Sequence, residues 1–126
     1  MNQDFQLAAN FMASEFACHC GCGFGMHPGD VDPRLVIGLQ TIRRWLGVPM
    51  IVNSGCRCAK HNARIGGSAT SQHLEGKAAD IKGVPIHEIE QCALQIPVFK
   101  NGGIGLYPTK HFIHLDVRGT AARWTM

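Results

Sequence analysis

The sequence predicts an α+β domain in which helices pack on a small antiparallel sheet. Two segments, at about 32–47 and 85–96, carry apolar residues at helical spacing. Several short apolar or alternating segments between and after them have the length of strands. The helices and strands do not alternate regularly, as they would in a parallel α/β sheet, and this order favours an antiparallel arrangement.

The first helix has recognisable start and stop signals. Asp32 can cap it, Pro33 suits its first turn, and Gly47 ends it. Its apolar stripe consists of Leu35, Leu39, Ile42 and Leu46. The second helix opens at Pro85 and has the stripe Ile86, Ile89, Ala93 and Ile96. Before the first helix, residues 3–16 are amphipathic enough for either a short helix or a packed arm.

Four strands are predicted in the remaining sequence. Their segments are VPMIVNSG (48–55), KAADIKG (77–83), IGLY (104–107) and HFIHLDV (111–117). In the second strand, alternation places Ala79 and Ile81 on one face and Ala78 and Asp80 on the other. The segment 56–75 is rich in Gly, Ser, Asn and Ala and is predicted to be a loop, and NGG at 101–103 indicates a turn.

Length and composition indicate one globular domain over residues 1–126. We expect an N-terminal arm and helices over about 1–47 and the functional motifs over about 50–124. Hydrophobic residues make up 45% of the 126 residues and charged residues 17%. The net charge of +3 is small and the basic residues are scattered, so we expect no nucleic-acid partner. We expect no membrane insertion, because apolar runs fall short of the roughly 20 residues that a span needs. We also expect a monomer. The N-terminus lacks a signal-peptide pattern, which predicts synthesis in the cytoplasm.

The six cysteines leave two interpretations open. Three lie in CHCGCG as Cys18, Cys20 and Cys22, and their C-x-C-x-C spacing differs from the C-x-x-C of common zinc sites. The pair Cys56 and Cys58 is also spaced C-x-C. Reduced thiols packed in a glycine-rich loop are therefore favoured over a second, structural zinc ion at Cys18, Cys20 and Cys22.

Two of the seven histidines lie where a metal site is plausible. His73 lies in a loop that leads into the strand carrying Asp80, and His114 lies in the middle of a strand. Two imidazoles and one carboxylate form the ligand set of a catalytic zinc ion that keeps one position open for water. The competing interpretation is that both histidines are hydrogen-bonded in the core, and the spacing alone does not separate the two.

Four ordered motifs within residues 53–124 resemble the zinc D-Ala-D-Ala carboxypeptidase family. They are S-G-x-R, N-x3-G-G and S-x-H-x2-G-x-A-x-D in NSGCRCAKHNARIGGSATSQHLEGKAADI, followed by F-I-H-x-D-V-R in GIGLYPTKHFIHLDVRGTAARW. The family includes cell-wall endopeptidases and shares the fold of hedgehog signalling domains. The resemblance therefore implies a hedgehog/DD-peptidase-like fold. The segment SEFACHCGCG resembles small phage-type members more loosely.

The resemblance also implies roles for individual residues. It places one catalytic zinc ion on His73, Asp80 and His114. It gives Arg57 the task of binding a carboxylate or carbonyl of the substrate, which suits a forked, permanently charged donor. Ser71 either binds backbone or substrate near the metal or only stabilises its turn.

The proton-transfer residue is left open between two candidates. Related enzymes place a Glu three residues before the last histidine ligand, or a His two residues before it. This sequence has His111 and Phe112 there. His111 could replace the glutamate, but in an unbroken strand it points away from the face of His114, whereas Asp116 shares that face. Asp116 is then either the base or a carboxylate that orients His114. A bulge or strand start at 111–112 would decide between His111 and Asp116.

These features predict a zinc-dependent metallopeptidase that cleaves peptidoglycan stem peptides. It would act as a D-Ala-D-Ala carboxypeptidase or as an endolysin-like endopeptidase, with peptidoglycan peptide as its partner and substrate. The alternative is a non-catalytic zinc-containing module that binds a cell-wall peptide, and a cysteine-cluster interaction protein is the least favoured. An enzyme made without a signal peptide would reach the wall by phage-type release through a membrane lesion.

Overall fold

The N-terminal segment is a packed arm rather than a helix. The computed structural model describes residues 3–126, so the first two residues of the predicted domain lie outside the described part. Two short strands, β1 (Gln6–Ala8) and β2 (Phe11–Met12), pair antiparallel, and a 3-10 turn follows at Ala13–Glu15. Phe11 and Phe16 are buried in the core and fix this arm to the domain.

The first predicted helix is present as α1 (Pro33–Leu46). The carboxylate of Asp32 accepts a hydrogen bond from the backbone N–H of Arg34 at 2.9 Å, and Gly47 ends the helix with φ of 68°. Both are the expected end signals. The apolar stripe faces inward, because Leu35, Leu39 and Ile42 are completely buried whereas Leu46 is only partly so.

The larger sheet has five strands in the order β3-β4-β6-β5-β7. They are β3 (Ile51–Ser54), β4 (Ala78–Lys82), β5 (Gly103–Tyr107), β6 (Phe112–Asp116) and β7 (Ala122–Thr125). The first four match the predicted strands and pair antiparallel. The fifth was not predicted and runs parallel to β5. Its four residues lie at the sheet edge and are too few to show an alternating pattern.

The segment 56–75, predicted as loop, contains two short helical turns. They are α2 (Ala59–Arg64) and a 3-10 turn at Gln72–Glu75. A side chain caps the N-terminus of each. Cys58 Sγ accepts a hydrogen bond from the N–H of His61, and Ser71 Oγ accepts one from the N–H of His73. The predicted helix at 85–96 is shorter, as α3 (Ile86–Ala93), and is followed by α4 (Pro97–Lys100), which the sequence did not predict.

The two faces of the large sheet have different roles. Ala79 and Ile81 of β4, with Ile113 and Leu115 of β6, belong to the apolar core that the helices cover. The alternate residues of the same strands, which include Asp80 and His114, lie on the other face. The predicted alternation in β4 is thus present. Among the described helices, none has the length and apolar character that a membrane crossing requires.

Candidate metal centre

Strand pairing and one tight turn bring three predicted ligands together. In the antiparallel pair β4–β6, Asp80 lies directly opposite His114. His73 comes from the 3-10 turn that precedes β4. Gly76 ends that turn with φ of 68°, and a Cβ there would overlap the carbonyl oxygen of Asp30. Only glycine therefore lets the turn pack closely enough to deliver His73.

The three side chains form a site that could hold a metal ion. His73 Nε2 and His114 Nδ1 lie 3.2 and 3.0 Å from Oδ1 of Asp80, and the three donor atoms lie within 4.8 Å of one another. Ligand atoms of a tetrahedral zinc ion are about 3.3 Å apart for bonds of about 2.0 Å. The side chains are buried, with 2%, 5% and 7% of His73, Asp80 and His114 exposed. Donor type and spacing therefore fit zinc.

Each imidazole is held with one nitrogen directed at Asp80. The Nδ1–H of His73 donates to the carbonyl oxygen of Gly55 at 2.6 Å, which leaves Nε2 as the metal-facing atom. The Nε2–H of His114 donates to Oδ2 of Asp116 at 2.7 Å, which leaves Nδ1 in that position. Such hydrogen bonds fix the tautomer and orientation of metal-binding histidines.

Asp116 lies behind His114 and is fully buried. Its carboxylate accepts hydrogen bonds from the backbone N–H of Gly103 at 2.8 Å and from Arg118, whose Nη2 lies 2.7 Å from Oδ2. Burial alone would raise the pKa of Asp116, but the hydrogen bonds from His114 and Arg118 outweigh it and hold the pKa below its usual range. The carboxylate lies on the same strand face as His114, as alternation predicted. It contacts the imidazole of His114 and does not line the adjoining groove.

His111 lies away from the three ligands. Strand β6 begins at Phe112, and His111 precedes it in a turn with φ of 58°. Its side chain lines a separate depression with Pro85, Ile86 and Pro108. The strand start at 111–112 therefore exists, and it does not bring His111 to the metal site. Phe112 and Lys110 line the groove at this point instead.

Two buried groups at the site have shifted pKa values. Burial favours a raised pKa for Asp80, but hydrogen bonds from His114 and His73 outweigh it and lower the pKa well below its usual range. Burial favours a lowered pKa for His114, yet the carboxylates of Asp116 and Asp80 raise it overall. The carboxylates of Asp80 and Asp116 therefore favour a cation at the imidazole of His114, either a proton or a metal ion.

A groove of about 520 Å³ opens over the three ligands. Three cationic side chains line it, namely Arg57, Lys110 and Arg118. Nη2 of Arg57 donates to Oδ2 of Asp80 at 3.1 Å, and its Nε donates to Ser54 Oγ at 3.0 Å. Ser71 also lines the groove, and its Oγ caps the turn that holds His73. The groove thus presents positive charge beside the metal site.

An aromatic wall that the sequence did not predict completes the groove. The indole N–H of Trp124 donates to the hydroxyl of Tyr107 at 2.9 Å, and its ring centroid lies 5.0 Å from that of His114. A Cβ at Gly105 would overlap this indole, so the glycine opposite His114 makes the space. The available signal was the glycine in the short strand GIGLY, which marks a close approach.

Most of the chain matches a known protein family. Residues 9–116 match the family model described as Peptidase M15. The chain belongs to the peptidase M15 family. This confirms the predicted resemblance to zinc cell-wall peptidases and the predicted α+β fold class.

Two relatives of this M15 chain have names that describe an activity. The probable peptidoglycan L,D-endopeptidase MepK of Haemophilus influenzae is 36% identical over 104 residues, which cover 75% of this chain and 54% of that protein. The peptidoglycan L,D-endopeptidase MepK of Escherichia coli K12 is 32% identical over 103 residues, with the same coverage. The chain therefore spans about half the length of the curated relatives it matches.

Proposed function

We propose that this M15 chain is a zinc-dependent endopeptidase that cleaves peptide bonds of peptidoglycan. The observation that carries the proposal is the convergence of His73 Nε2, Asp80 Oδ1 and His114 Nδ1 at the base of a peptide-sized groove. The relatives named as peptidoglycan L,D-endopeptidases support the substrate class and favour an endopeptidase over a carboxypeptidase.

The three ligands suit zinc because they combine two neutral nitrogen donors with one carboxylate. Zinc held by them would supply a Lewis acid that polarises a peptide carbonyl and acidifies water. Gly55 and Asp116 keep the two imidazole rings in the ligand orientation through the hydrogen bonds described above. Arg57 does the same for Asp80 by binding its second carboxylate oxygen.

The cationic lining favours peptides that carry free carboxylates, as peptidoglycan stem peptides do. Arg57 is the side chain placed to bind a substrate carboxylate or carbonyl, because it lies in the groove beside a metal ligand. Lys110 and Arg118 add charge along the same groove. Tyr107 and Phe112, whose rings stack at 4.3 Å, provide an apolar wall for the peptide.

In this proposal Asp116 is a positioning residue. Its carboxylate is fully buried and is occupied by His114, Arg118 and the Gly103 N–H. A carboxylate with these partners holds the ring of His114 but does not reach the substrate groove. His111 has no part in the reaction, because it lines a different depression.

Digestion of purified peptidoglycan, followed by mass spectrometry of the products, tests the proposal. We expect new peptide termini with the zinc-loaded protein, none after chelation, and recovery when zinc is restored. The double variant His73→Ala/His114→Ala should release none, whereas His87→Ala, at an exposed histidine of α3, should cleave normally. Equal cleavage before and after complete metal removal would overturn the proposal.

One observation favours a second candidate, a non-catalytic module that binds a cell-wall peptide. Among residues 3–126, the titratable side chains lining the groove beyond the three ligands are Arg57, Tyr107, Lys110 and Arg118, with no further carboxylate or imidazole. The module would retain stem peptides on zinc-loaded protein without releasing products. The same digestion, combined with a muropeptide binding measurement, separates the two functions.

A further inference from the structure

A second group of metal-binding side chains lies outside the groove, at the start of α2. The sulfurs of Cys18, Cys20, Cys22 and Cys58 all lie within 4.8 Å of one another. Cys18 and Cys20 are 3.4 Å apart, Cys20 and Cys58 are 3.6 Å apart, and Cys18 and Cys58 are 3.9 Å apart. The fold thus adds Cys58 to the three cysteines of CHCGCG.

These separations suit four ligands around one ion. Sulfurs about 2.3 Å from a tetrahedral zinc ion are about 3.8 Å from one another. A disulfide would instead require sulfurs about 2.05 Å apart, and all four cysteines are free thiols. Thiolate ligands select zinc over magnesium or calcium, which prefer oxygen.

The backbone of the CHCGCG loop explains why C-x-C-x-C spacing works here. Gly21 and Gly23 adopt φ of 81° and 94°, which ordinary side chains rarely adopt. The N–H of Cys18 donates to the carbonyl of Phe24 at 2.8 Å, and the N–H of Gly21 donates to the carbonyl of Cys18 at 3.1 Å. The chain therefore doubles back, and three closely spaced cysteines face one point.

Backbone amides already point at two of the sulfurs. The N–H of Cys58 donates to Cys18 Sγ, and the N–H of His61 donates to Cys58 Sγ, each at 3.4 Å. Donors of this kind stabilise negative sulfur and orient ligands around a bound metal. These hydrogen bonds support a metal site at the four cysteines independently of the spacing of the sulfurs.

We propose that Cys18, Cys20, Cys22 and Cys58 bind a structural zinc ion. The other two cysteines are not part of the site. Cys56 is buried with its sulfur 3.9 Å from the carbonyl of Asp30, and Cys92 lies on α3. The sequence alone favoured reduced thiols, because neither C-x-C-x-C nor C-x-C is the usual spacing of zinc ligands. In the fold, Cys58 lies beside Cys18 although the two are 40 positions apart in sequence.

The site joins the N-terminal arm to the segment that supports the groove. Cys58 directly follows Arg57, and the N–H of Cys56 donates to the carbonyl of Phe16 at 2.7 Å. A Cβ at Gly55, whose carbonyl holds His73, would lie 2.7 Å from Cα of Phe16. A metal at the cysteines would therefore fix residues 55–58 from the outside, without contact to the substrate.

Metal analysis of the purified full chain under reducing conditions tests this site. We expect two zinc ions per chain in the wild type and one in Cys18→Ser/Cys58→Ser. We also expect one in His73→Ala/His114→Ala, since the two sites are independent, and two in the control Cys92→Ser. If the double cysteine variant does not fold, the single variant Cys22→Ser, at an exposed position, gives the same comparison.

Cobalt substitution identifies the ligands. Cobalt-loaded wild type and His73→Ala/His114→Ala should both show intense thiolate-to-cobalt absorption, and Cys22→Ser should show a weaker band because one of the four thiolates is replaced. Any of three results would overturn the proposal. These are the absence of a thiolate band in cobalt-loaded wild type, an unchanged zinc content in the cysteine variants, and disulfides among these cysteines in place of metal. Because the His73/His114 variant keeps the cysteine site, this outcome is separate from the test of peptidase activity.

Discussion

His114 donates its Nε2–H to Oδ2 of Asp116 at 2.7 Å, so that its Nδ1 lies 3.0 Å from Asp80. The Gly103 N–H and the Arg118 guanidinium hold the carboxylate in turn. A Cβ at Gly103 would overlap that carboxylate. The orientation of His114 thus depends on a buried chain of contacts behind it, away from the groove.

Replacing Asp116 by Asn should weaken zinc binding at the groove by about 10–100-fold, because a neutral amide with a single acceptor oxygen replaces the charged carboxylate that accepts from the Nε2–H of His114. Competition with a chromophoric chelator measures this affinity, and peptidoglycan cleavage at saturating zinc measures the remaining activity. Glu88→Gln, at an exposed position on α3, is the matched control. Unchanged zinc affinity with abolished cleavage would instead favour proton transfer by Asp116.

The three groove ligands could be predicted because the motifs around them resemble those of a zinc peptidase family, whereas residue spacing alone left hydrogen-bonded core histidines as an alternative. Strand alternation puts Asp80 on the face opposite Ala79, and mid-strand burial makes a histidine at 114 costly without partners. The cap of α1 at Asp32 and its end at Gly47 could be predicted from local patterns in the same way. These features depend on residues that are close in the chain.

Features that depend on long-range contacts were not predicted. Cys58 contacts Cys18 across 40 positions of sequence, and β7 pairs with β5 in parallel at the sheet edge. The position of His111 depended on where β6 begins, and strand ends are poorly marked in sequence. The backbone N–H of Gly103, which binds Asp116, likewise comes from a different strand.

Substitution of His111 by Asn should leave peptidoglycan cleavage within about twofold of wild type. Asn is chosen because it tolerates the left-handed backbone at this position, where φ is 58°. The imidazole lines the depression beside Pro85 rather than the metal groove. Initial rates at several pH values check this, and a large drop in rate with full zinc occupancy would restore His111 as a candidate base.

The metal-free protein should lose stability in acid as Asp116 becomes protonated. An Asp carboxyl has a pKa of about 3.9 in the unfolded chain. In the folded protein, hydrogen bonds hold the pKa of Asp116 below that value. A lowered folded-state pKa gives stability that is fully present above the unfolded pKa and is lost as pH falls through the folded value. Asp80 has a lowered pKa and contributes with the same sign.

Urea unfolding of chelator-treated protein at a series of pH values from about 6 to about 3 measures this loss. Asp116→Asn should be less stable at neutral pH by about 2–3 kcal/mol, because hydrogen bonds to a charged group are removed. Its stability should also fall less steeply below about pH 4. If the free energy of unfolding falls equally steeply with decreasing pH in the wild type and in Asp116→Asn, the assigned role of the carboxylate is wrong.

Trp124 should contribute to substrate binding through its position beside His114. Trp124→Phe removes the hydrogen bond to the Tyr107 hydroxyl and part of the groove wall. We expect a rise in KM of several-fold with zinc content unchanged. The same substitution at Trp45, which is 54% exposed on α1, should leave KM unaltered. A lower zinc content in Trp124→Phe would show that the indole supports the metal site instead.

Arg57→Lys tests whether the forked shape of the guanidinium matters beyond its charge. Arg57 donates to Asp80 through Nη2 and to Ser54 through Nε while facing the groove, and one lysine ammonium cannot reproduce this pair. The loss of a hydrogen bond to a charged group costs about 1.5–3 kcal/mol, so kcat/KM should fall by about 10–150-fold. Arg64→Lys, at an exposed position in α2, is the matched control. If cleavage by Arg57→Lys equals that of the control, positive charge alone is sufficient and the proposed carboxylate contact is wrong.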